Sequence, residues 1–421
     1  MTALGKRDEK WLWVFVPINA AMGGFGTLLP LYIISLGGTV VDVGNVASAY
    51  SLALIPSSIL WGLAVDRKSE RKPFLTYSYL GITALLFAGF FINEIGGLLL
   101  LYVCYAAVTT AASPAVSLLL IESTPKKTLS ITYARYSALT LIGTAAGAIP
   151  GAFWTNFLPL RSYFLLCGSF SAISVILATK YLVEPAFPLE RKMVALSQES
   201  LVSRLRAFSM IFITIPTLDD VRSFAKLMRS VFTRHLPLLF LSFFLFFSAA
   251  NLFFTAYTPF LKSRYLEDSG VFTIYSILFI LEAAVFFITG RACGRLGERR
   301  VALLALYIRI VGFAAGVATV LLMLHSSTLL FASMAVTAVT GTAYALYQTS
   351  SSVILFRSLP PGKQGELLGV YSALAGIAAF IGAILAGYLS YHFGYWVTFS
   401  AATLLVVGCV LAFRSAMREE S

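Results

Sequence analysis

The sequence predicts an all-α polytopic membrane protein, with twelve transmembrane helices in two pseudo-symmetric six-helix bundles. Three observations carry this expectation. Apolar residues fill 58% of the 421 positions and charged residues only 12%, too much apolar surface for one soluble core to absorb. The apolar residues gather into runs of roughly twenty, the length an α-helix needs to cross the hydrocarbon of a bilayer. One short basic motif also occurs twice, six runs apart. A transmembrane β-barrel does not fit, because its strands would show about ten residues of alternating polarity, whereas these runs are apolar on all faces.

The elements follow in order. The run 11–35 comes after Lys6, Arg7 and Lys10; at about 24 residues it is too long for a cleaved signal peptide and lacks a small-residue cleavage site, so it reads as a retained first helix. Runs 43–65 and 73–92 flank the first basic motif, 96–121 contains no Lys or Arg, 134–156 carries a glycine series, and 162–183 ends the first half. Run 236–261 holds Phe240, Phe243, Phe244, Phe246, Phe247, Phe253 and Phe254, which encircle the helix and must face lipid or packing neighbours. Runs 270–290 and 300–324 each hold one deep charge, and 327–356, 367–390 and 395–413 complete the second half. Pro30, Pro56, Pro114, Pro150 and Pro259 interrupt the runs, as membrane helices tolerate when neighbours satisfy the freed backbone groups. Cys104, Cys167, Cys293 and Cys409 show neither paired nor metal-like spacing and read as small packing residues.

This divides the chain into an N-terminal bundle over 1–183, a linker over 184–235 and a C-terminal bundle over 236–421. The linker opens on Pro185 and Pro188 and is rich in basic residues. After Thr217, Asp219 and Asp220, the residues Val221, Phe224, Leu227, Met228 and Val231 recur at helical spacing, with Arg222, Lys226 and Arg229 between them. That pattern is a basic amphipathic helix, either on the inner membrane surface or packed beneath the bundle. The halves repeat each other in register: Tyr136-Ser-Ala-Leu139 returns as Tyr371-Ser-Ala-Leu374, Gly147 as Gly382 and Pro125 as Pro360, each 235 residues on. Duplicated six-helix halves are a plan of secondary transporters, with the substrate site between them near the midplane.

Charge sets the orientation. With the N-terminus inside, 27 of the 31 Lys and Arg residues fall at the termini and the even-numbered connections; Arg161, Lys262 and Arg264 fall outside, and Arg309 lies within a run. Discounting the long linker leaves 19 against three, so both termini are expected in the cytoplasm. The net charge of +12 therefore reflects headgroup-facing turns rather than nucleic-acid binding.

The first basic motif reads Gly62-Leu-Ala-Val-Asp66-Arg67-Lys68-Ser69-Glu70-Arg71-Lys72, and the second Gly290-Arg-Ala-Cys-Gly294-Arg295-Leu296-Gly297-Glu298-Arg299-Arg300; each is expected in a tight charged connection. These motifs, over the whole duplicated length, resemble the major facilitator superfamily (MFS), whose signature between helices 2 and 3 is Gly-x-x-x-Asp-Arg/Lys-x-Gly-Arg-Arg/Lys. Gly62, Asp66, Arg67 and Arg71 match it, with Ser69 for the family glycine; Gly290, Arg295, Gly297 and Arg299 match in the second copy, with Gly294 where the acid would stand. The resemblance implies the MFS fold, alternating access, and a cytoplasmic latch in which Asp66 helps to hold the halves together. Glu122 and Arg135, flanking the next inner connection, are candidates to join it or are solvated turn residues. Gly143, Gly147 and Gly151, with Pro150 among them, share one helix face and suit close helix packing. They also resemble the glycine-proline motif of the family's antiporters, which leans toward export, although the adjacent Gly-Pro pair is absent. The basic residue that drug/proton antiporters of the family carry in helix 4 is missing.

A charge deep in a membrane costs about 2.5–3.5 kcal/mol or more and usually has a task. Glu282 stands nine residues before Arg291 and Arg309 nine after Arg300, each roughly 12–14 Å from the inner helix end. Glu282 either faces a cavity, taking up protons or contacting substrate, or forms a permanent buried ion pair with Arg309. Asn19, Tyr102, Tyr105, Asn251, Tyr344, Tyr347 and Gln348 are the polar and aromatic candidates for a substrate cavity, each with interhelical contact as the alternative. His235, His325 and His392 lie at run ends. No phosphate-binding loop, metal-ligand cluster or nucleophile motif is present, so no cofactor, metal or enzymatic activity is expected. The expected function is proton-coupled secondary transport of a small organic solute by a monomer in the cell (inner or plasma) membrane, leaning to efflux. Uptake of a sugar or organic acid, and a membrane sensor that does not transport, are the alternatives.

Overall fold

In hydrocarbon every backbone N–H and C=O must find its partner within the protein, which leaves helices as the spanning element for a chain of this pattern. A computed structural model describes residues 9–67, 71–123, 129–182, 235–358 and 364–418, with the side chains of 62–67, 121–131 and 356–370 largely outside it. The described chain forms twelve long helices: α1 Phe15–Ser35, α2 Val40–Arg67, α3 Lys72–Gly89, α4 Ile95–Ser123, α5 Leu129–Phe157, α6 Tyr163–Tyr181, α7 His235–Ser263, α8 Asp268–Leu296, α9 Glu298–Leu321, α10 Ser326–Ser358, α11 Gln364–Phe393 and α12 Tyr395–Arg418. Short 3-10 turns precede α1 and α6. Eleven of the helices are long and apolar enough to cross a membrane. The other is α3, whose first half, Lys72 to Tyr79, is diluted by a charge and several hydroxyls. Connections alternate between a terminal face, carrying both chain ends, and a far face.

The halves are built alike. In the first, α1 packs on α5 and α6, α3 on α4 and α6, and α2 on α4; in the second, the corresponding pairs α7 with α11 and α12, α9 with α10 and α12, and α8 with α10 recur. The halves meet through α2 with α11 and α5 with α8, which exchange under the same correspondence. Near the far face, Gly44 of α2 lies against Ala383 and Gly387 of α11, and Gly151 of α5 against the ring of Phe272 in α8. Tyr163 packs edge-on to that same ring, with centroids 5.0 Å apart.

Small residues set the closest approaches, as expected where dispersion and hydrogen bonds, rather than expulsion of water, drive helix association. A Cβ on Gly147 would overlap the backbone of Ala20, and one on Gly143 that of Val16; Gly382 stands in the same relation to Ser248 and Asn251 of α7. Side-chain donors tie helices together. Tyr163 Oη donates to the Gly147 carbonyl at 2.6 Å, Ser78 Oγ to that of Val108 at 2.8 Å, and Trp61 Nε1 to that of Ala107 at 2.7 Å. The four cysteines are unpaired thiols. None of the eight phenylalanines of α7 is exposed, so they are packing residues rather than a lipid-facing surface.

The helices overrun the expected hydrocarbon segments, and this corrects the reading of the basic motifs. Gly62 to Arg67 is the last stretch of α2, and Gly290 to Leu296 the last two turns of α8; the connection between α8 and α9 is Gly297 alone. Backbone hydrogen bonding persists past the apolar boundary, and Arg291 and Arg295 suit the negative end of the helix dipole. Gly297 adopts φ 82°, ψ 144°, a conformation that glycine reaches without steric cost. The expected amphipathic helix over Val221 to Val231 lies outside the described residues, as do Lys68 to Glu70, Pro125 and Pro360.

Replacing Gly147 by alanine places a methyl group on the Ala20 backbone, so α1 and α5 must separate. The detergent-solubilised protein is expected to unfold at lower temperature, a loss of about 1–3 kcal/mol, while Gly96→Ala, where nothing lies within 4 Å, leaves the midpoint unchanged. Equal midpoints for the two variants would show that this helix approach does not limit stability.

Candidate functional site

Glu282 is the central residue of α8, and Arg309 is the twelfth of the 24 residues of α9, so both charges lie at mid-depth in the bundle. Their placement depends on α10. Gly341 lets α8 approach closely: a Cβ there would stand 3.1 Å from Cγ of Glu282. Gly312 does the same for α9, opposite Thr340. The Thr340 carbonyl accepts a hydrogen bond from Arg309 Nη1 at 3.2 Å. Two neighbouring residues of α10 thus position both charges.

Arg309 is 1% exposed although α9 is a peripheral helix, because its side chain reaches inward between α7 and α10. Its guanidinium carbon lies 4.7 Å from the ring of Phe246, 4.8 Å from Phe313, 5.7 Å from Phe254 and 5.8 Å from Tyr344. Ring faces offer a desolvated cation part of what water would. The enclosure is itself braced: Phe246 stacks on Tyr347 at 4.0 Å and Phe313 on Phe253 at 4.3 Å. Nε and Nη2 of Arg309 are buried and make no hydrogen bond. Glu282 lies within the electrostatic reach of Arg309, yet the pair is not among the contacts within 4.0 Å that define an ion pair.

Both residues line one cavity of about 310 Å³, with Ala250 and Phe254 of α7, Tyr275, Leu278 and Phe279 of α8, and Tyr344 of α10. Phe254 and Tyr275 also wall a second cavity of about 240 Å³ between the halves. Its lining is Gly26, Leu29, Pro30 and Ile33 of α1, Val43, Val46 and Ala47 of α2, Tyr102 of α4, and Asn251 and Thr255 of α7. The hydroxyl of Tyr275 is tied to that of Thr258 at 3.0 Å, which fixes the shared wall. Tyr102 stacks on Tyr50 at 4.3 Å. Together the cavities offer two charges at one end and an aromatic, apolar body at the other.

The expected cavity residues divide. Tyr102, Asn251 and Tyr344 line these spaces. Tyr105 and Tyr347 line neither. Tyr105 is 4% exposed, edge-on to Phe25 at 4.8 Å. Tyr347 is 1% exposed, its hydroxyl 3.2 Å from that of Ser242 between α7 and α10. The reason is angular, since residues three apart on a helix differ by about 60° in direction, enough to turn Tyr347 from the cavity that Tyr344 faces. Gln348 lies beside Tyr371, its Oε1 buried without a partner. Asn19 is half-buried and donates to the Phe15 carbonyl at 2.7 Å, as Asn251 does to that of Phe247 at 2.9 Å. Gly143 and Gly147 pack on α1 and Gly151 on α8, with Pro150 within α5.

Of the expected latch, the surroundings of Gly62 and the side chains of Asp66, Arg67 and Glu122 lie outside what the structure describes; Arg71 is buried, and Arg135, Arg295 and Arg299 are exposed. Gly290 and Gly297 face open space. No group of His, Cys, Asp and Glu able to hold a metal ion occurs among the described residues. Tyr50, Tyr275 and Gly341 were not singled out from the sequence, and Phe246 and Phe254 were read only as residues facing lipid or packing neighbours. Tyr275 carried a signal, two helical turns before Glu282 on the same face; the α7 phenylalanines carried none beyond their abundance.

A duplicated twelve-helix bundle around a mid-depth cavity is the architecture of a membrane transporter. The Major Facilitator Superfamily model matches residues 12–315 and 271–421, and the chain belongs to that family. It is 20% identical over 419 residues to an uncharacterised MFS-type transporter of Methanocaldococcus jannaschii, covering 98% of this chain and 99% of the relative. Among solved structures it resembles the nucleoside transporter NupG, with TM-score 0.73, 15% identity, and 97% and 98% of the two chains covered. A POT family transporter in complex with 5-aminolevulinic acid gives TM-score 0.73 and 12% identity over 97% and 94%. A bacterial homologue of the lysosomal transporter Spinster, inward-facing and unoccupied, gives TM-score 0.68 and 14% identity over 98% and 99%. These likenesses establish the fold of an integral membrane transporter family.

Tyr347→Phe is expected to cost about 1 kcal/mol of stability, read as a lower unfolding temperature, because the Ser242 hydroxyl loses its partner, and to leave solute affinity unchanged. A change in affinity without a change in stability would place Tyr347 on the cavity after all.

Proposed function

We propose that the protein is a secondary active transporter that moves a small organic solute by alternating access, coupled to protons, with its terminal face in the cytoplasm at the cell membrane. One observation carries this reading: Glu282 lines a mid-depth cavity beside a buried Arg309 without forming a close ion pair with it. A carboxylate closed into a permanent pair has little reason to exchange its proton. One held apart from its counter-charge and reached from a cavity gains and loses a proton as access alternates. The terminal-face orientation is supported by 19 bases against three after the linker is discounted. A small organic solute is supported by the cavity and by the nucleoside and POT family transporters among the structural relatives.

Direction has two readings. The glycine series of α5 leans toward export, although Gly143 and Gly147 are used in contacts with α1 and Gly151 in a contact with Phe272. The unfilled donors of Arg309 favour uptake: an anion bound beside a protonated Glu282 crosses as a neutral pair, driven by an inward proton gradient.

In proteoliposomes with an imposed pH gradient, Glu282→Gln is expected to abolish accumulation against a concentration gradient while leaving exchange of solute across the bilayer. Gradient-driven accumulation at the unaltered rate would remove Glu282 from coupling. Failure of any solute to accumulate with the unaltered protein would favour a membrane sensor that uses this fold.

A further inference from the structure

We propose that the solute is a small organic carboxylate with a flat apolar body, its carboxylate gripped by the free edge of Arg309. This rests on the transport reading above and deepens it to a substrate class. In a guanidinium, Nη1 lies toward Cδ, whereas Nε and Nη2 share the opposite edge and point two N–H bonds the same way. Here Nη1 is used by the Thr340 carbonyl at 3.2 Å, and the Nε and Nη2 pair is buried with no acceptor. Two parallel donors at that spacing match the two oxygens of a carboxylate, the pairing that gives arginine its preference for planar anions. The side chain is 1% exposed and lines the cavity, so water is a poor substitute for the missing acceptor. The rings of Phe246 and Phe313, within 5 Å of the guanidinium carbon, restrict its movement and hold the free edge in place.

The rest of the space argues for the body of the solute. Beyond the charges, Phe254 and Tyr275 form a wall common to both cavities. Tyr275 already spends its hydroxyl on Thr258, and the Asn251 amide donates to its own helix. A sugar, with hydroxyls all round, would leave most of them unpaired against this lining. A planar apolar body lies well against the rings of Phe254, Tyr275 and Phe279, which line the same cavity as the two charges. A cation would meet Arg309 across the same cavity. A zwitterion would place its ammonium near Glu282, but the solute does not need one.

The test is equilibrium binding, read as thermal stabilisation of the full-length protein in detergent, with three probes of one shape: phenylacetate, phenylacetamide and phenethylamine. Phenylacetate is expected to bind about tenfold or more tighter than the amide or the amine, because only the acid fills both donors. Arg309→Lys keeps the charge but loses the fork, and is expected to lose about tenfold in phenylacetate affinity while the amide changes little. Should the Arg309 variant not fold, the three-probe comparison on the unaltered protein decides alone. Amide or amine binding as tightly as the acid, or unaltered acid affinity in a folded Arg309→Lys protein, would overturn the proposal. No proton gradient enters this measurement, so the substrate class can fail while gradient-driven transport of another solute stands, and coupling can fail while the acid still binds.

Discussion

An arginine closed in by aromatic rings at the middle of a bilayer-length bundle is the constraint on which the rest of this structure depends. The charge of Arg309 carries a desolvation cost that no single contact offsets. The protein spreads that cost over four ring faces, one carbonyl and the field of Glu282. Each needs an element held to close tolerance. The rings come from α7, α9 and α10, the carbonyl from α10, the carboxylate from α8. The glycines at 312 and 341 let α9 and α8 close onto α10, and Phe253 and Tyr347, with no cavity role, brace the rings that enclose the cation. The C-terminal half is shaped around this residue, and the N-terminal half supplies the apolar and aromatic wall opposite.

The arrangement also explains why two opposite charges at the same depth do not collapse onto each other. Glu282 packs against Gly341, while Arg309 is drawn by the rings and by Thr340 toward α7 and α10. Their attraction is felt across the cavity rather than consumed in a contact. Such a site responds to what enters it. An anion at Arg309 changes the field at Glu282, and a proton on Glu282 changes the field at Arg309. Linkage requires these influences to be reciprocal, and a transporter needs that reciprocity if it is to move one species with another.

Much of this fold was legible because lipid imposes a simple rule. Runs of apolar residues as long as the hydrocarbon is thick became helices, and the register of Gly147 with Gly382 anticipated the repeated helix pairs of the two halves. Helix ends were less legible, since backbone hydrogen bonding does not stop where hydropathy does; the basic motif at Gly290 read as a connection and is mostly helix. Within the site, Glu282 and Arg309 stood out because charges are rare in such runs. Phe313, four residues after Arg309, was reachable by helical spacing. Phe246 and Phe254 were not, because they arrive from α7 across a long stretch of chain and look like any of its other phenylalanines. Tyr344 and Tyr347 show the limit of spacing arguments: three residues apart, one faces the cavity and the other the contact between α7 and α12.

The central claim is that the Glu282 carboxyl, at the middle of the membrane, exchanges a proton instead of remaining ionised in a fixed pair. Infrared difference spectroscopy of the protein in lipid, stepped through pH, reads this directly. The account expects a protonated-carboxyl stretching band that grows as pH falls within the folded range and is missing from the Glu282→Gln spectrum. A spectrum in which no band assignable to Glu282 titrates while the protein stays folded would show a permanently charged residue, and the account of coupling at this site would be wrong.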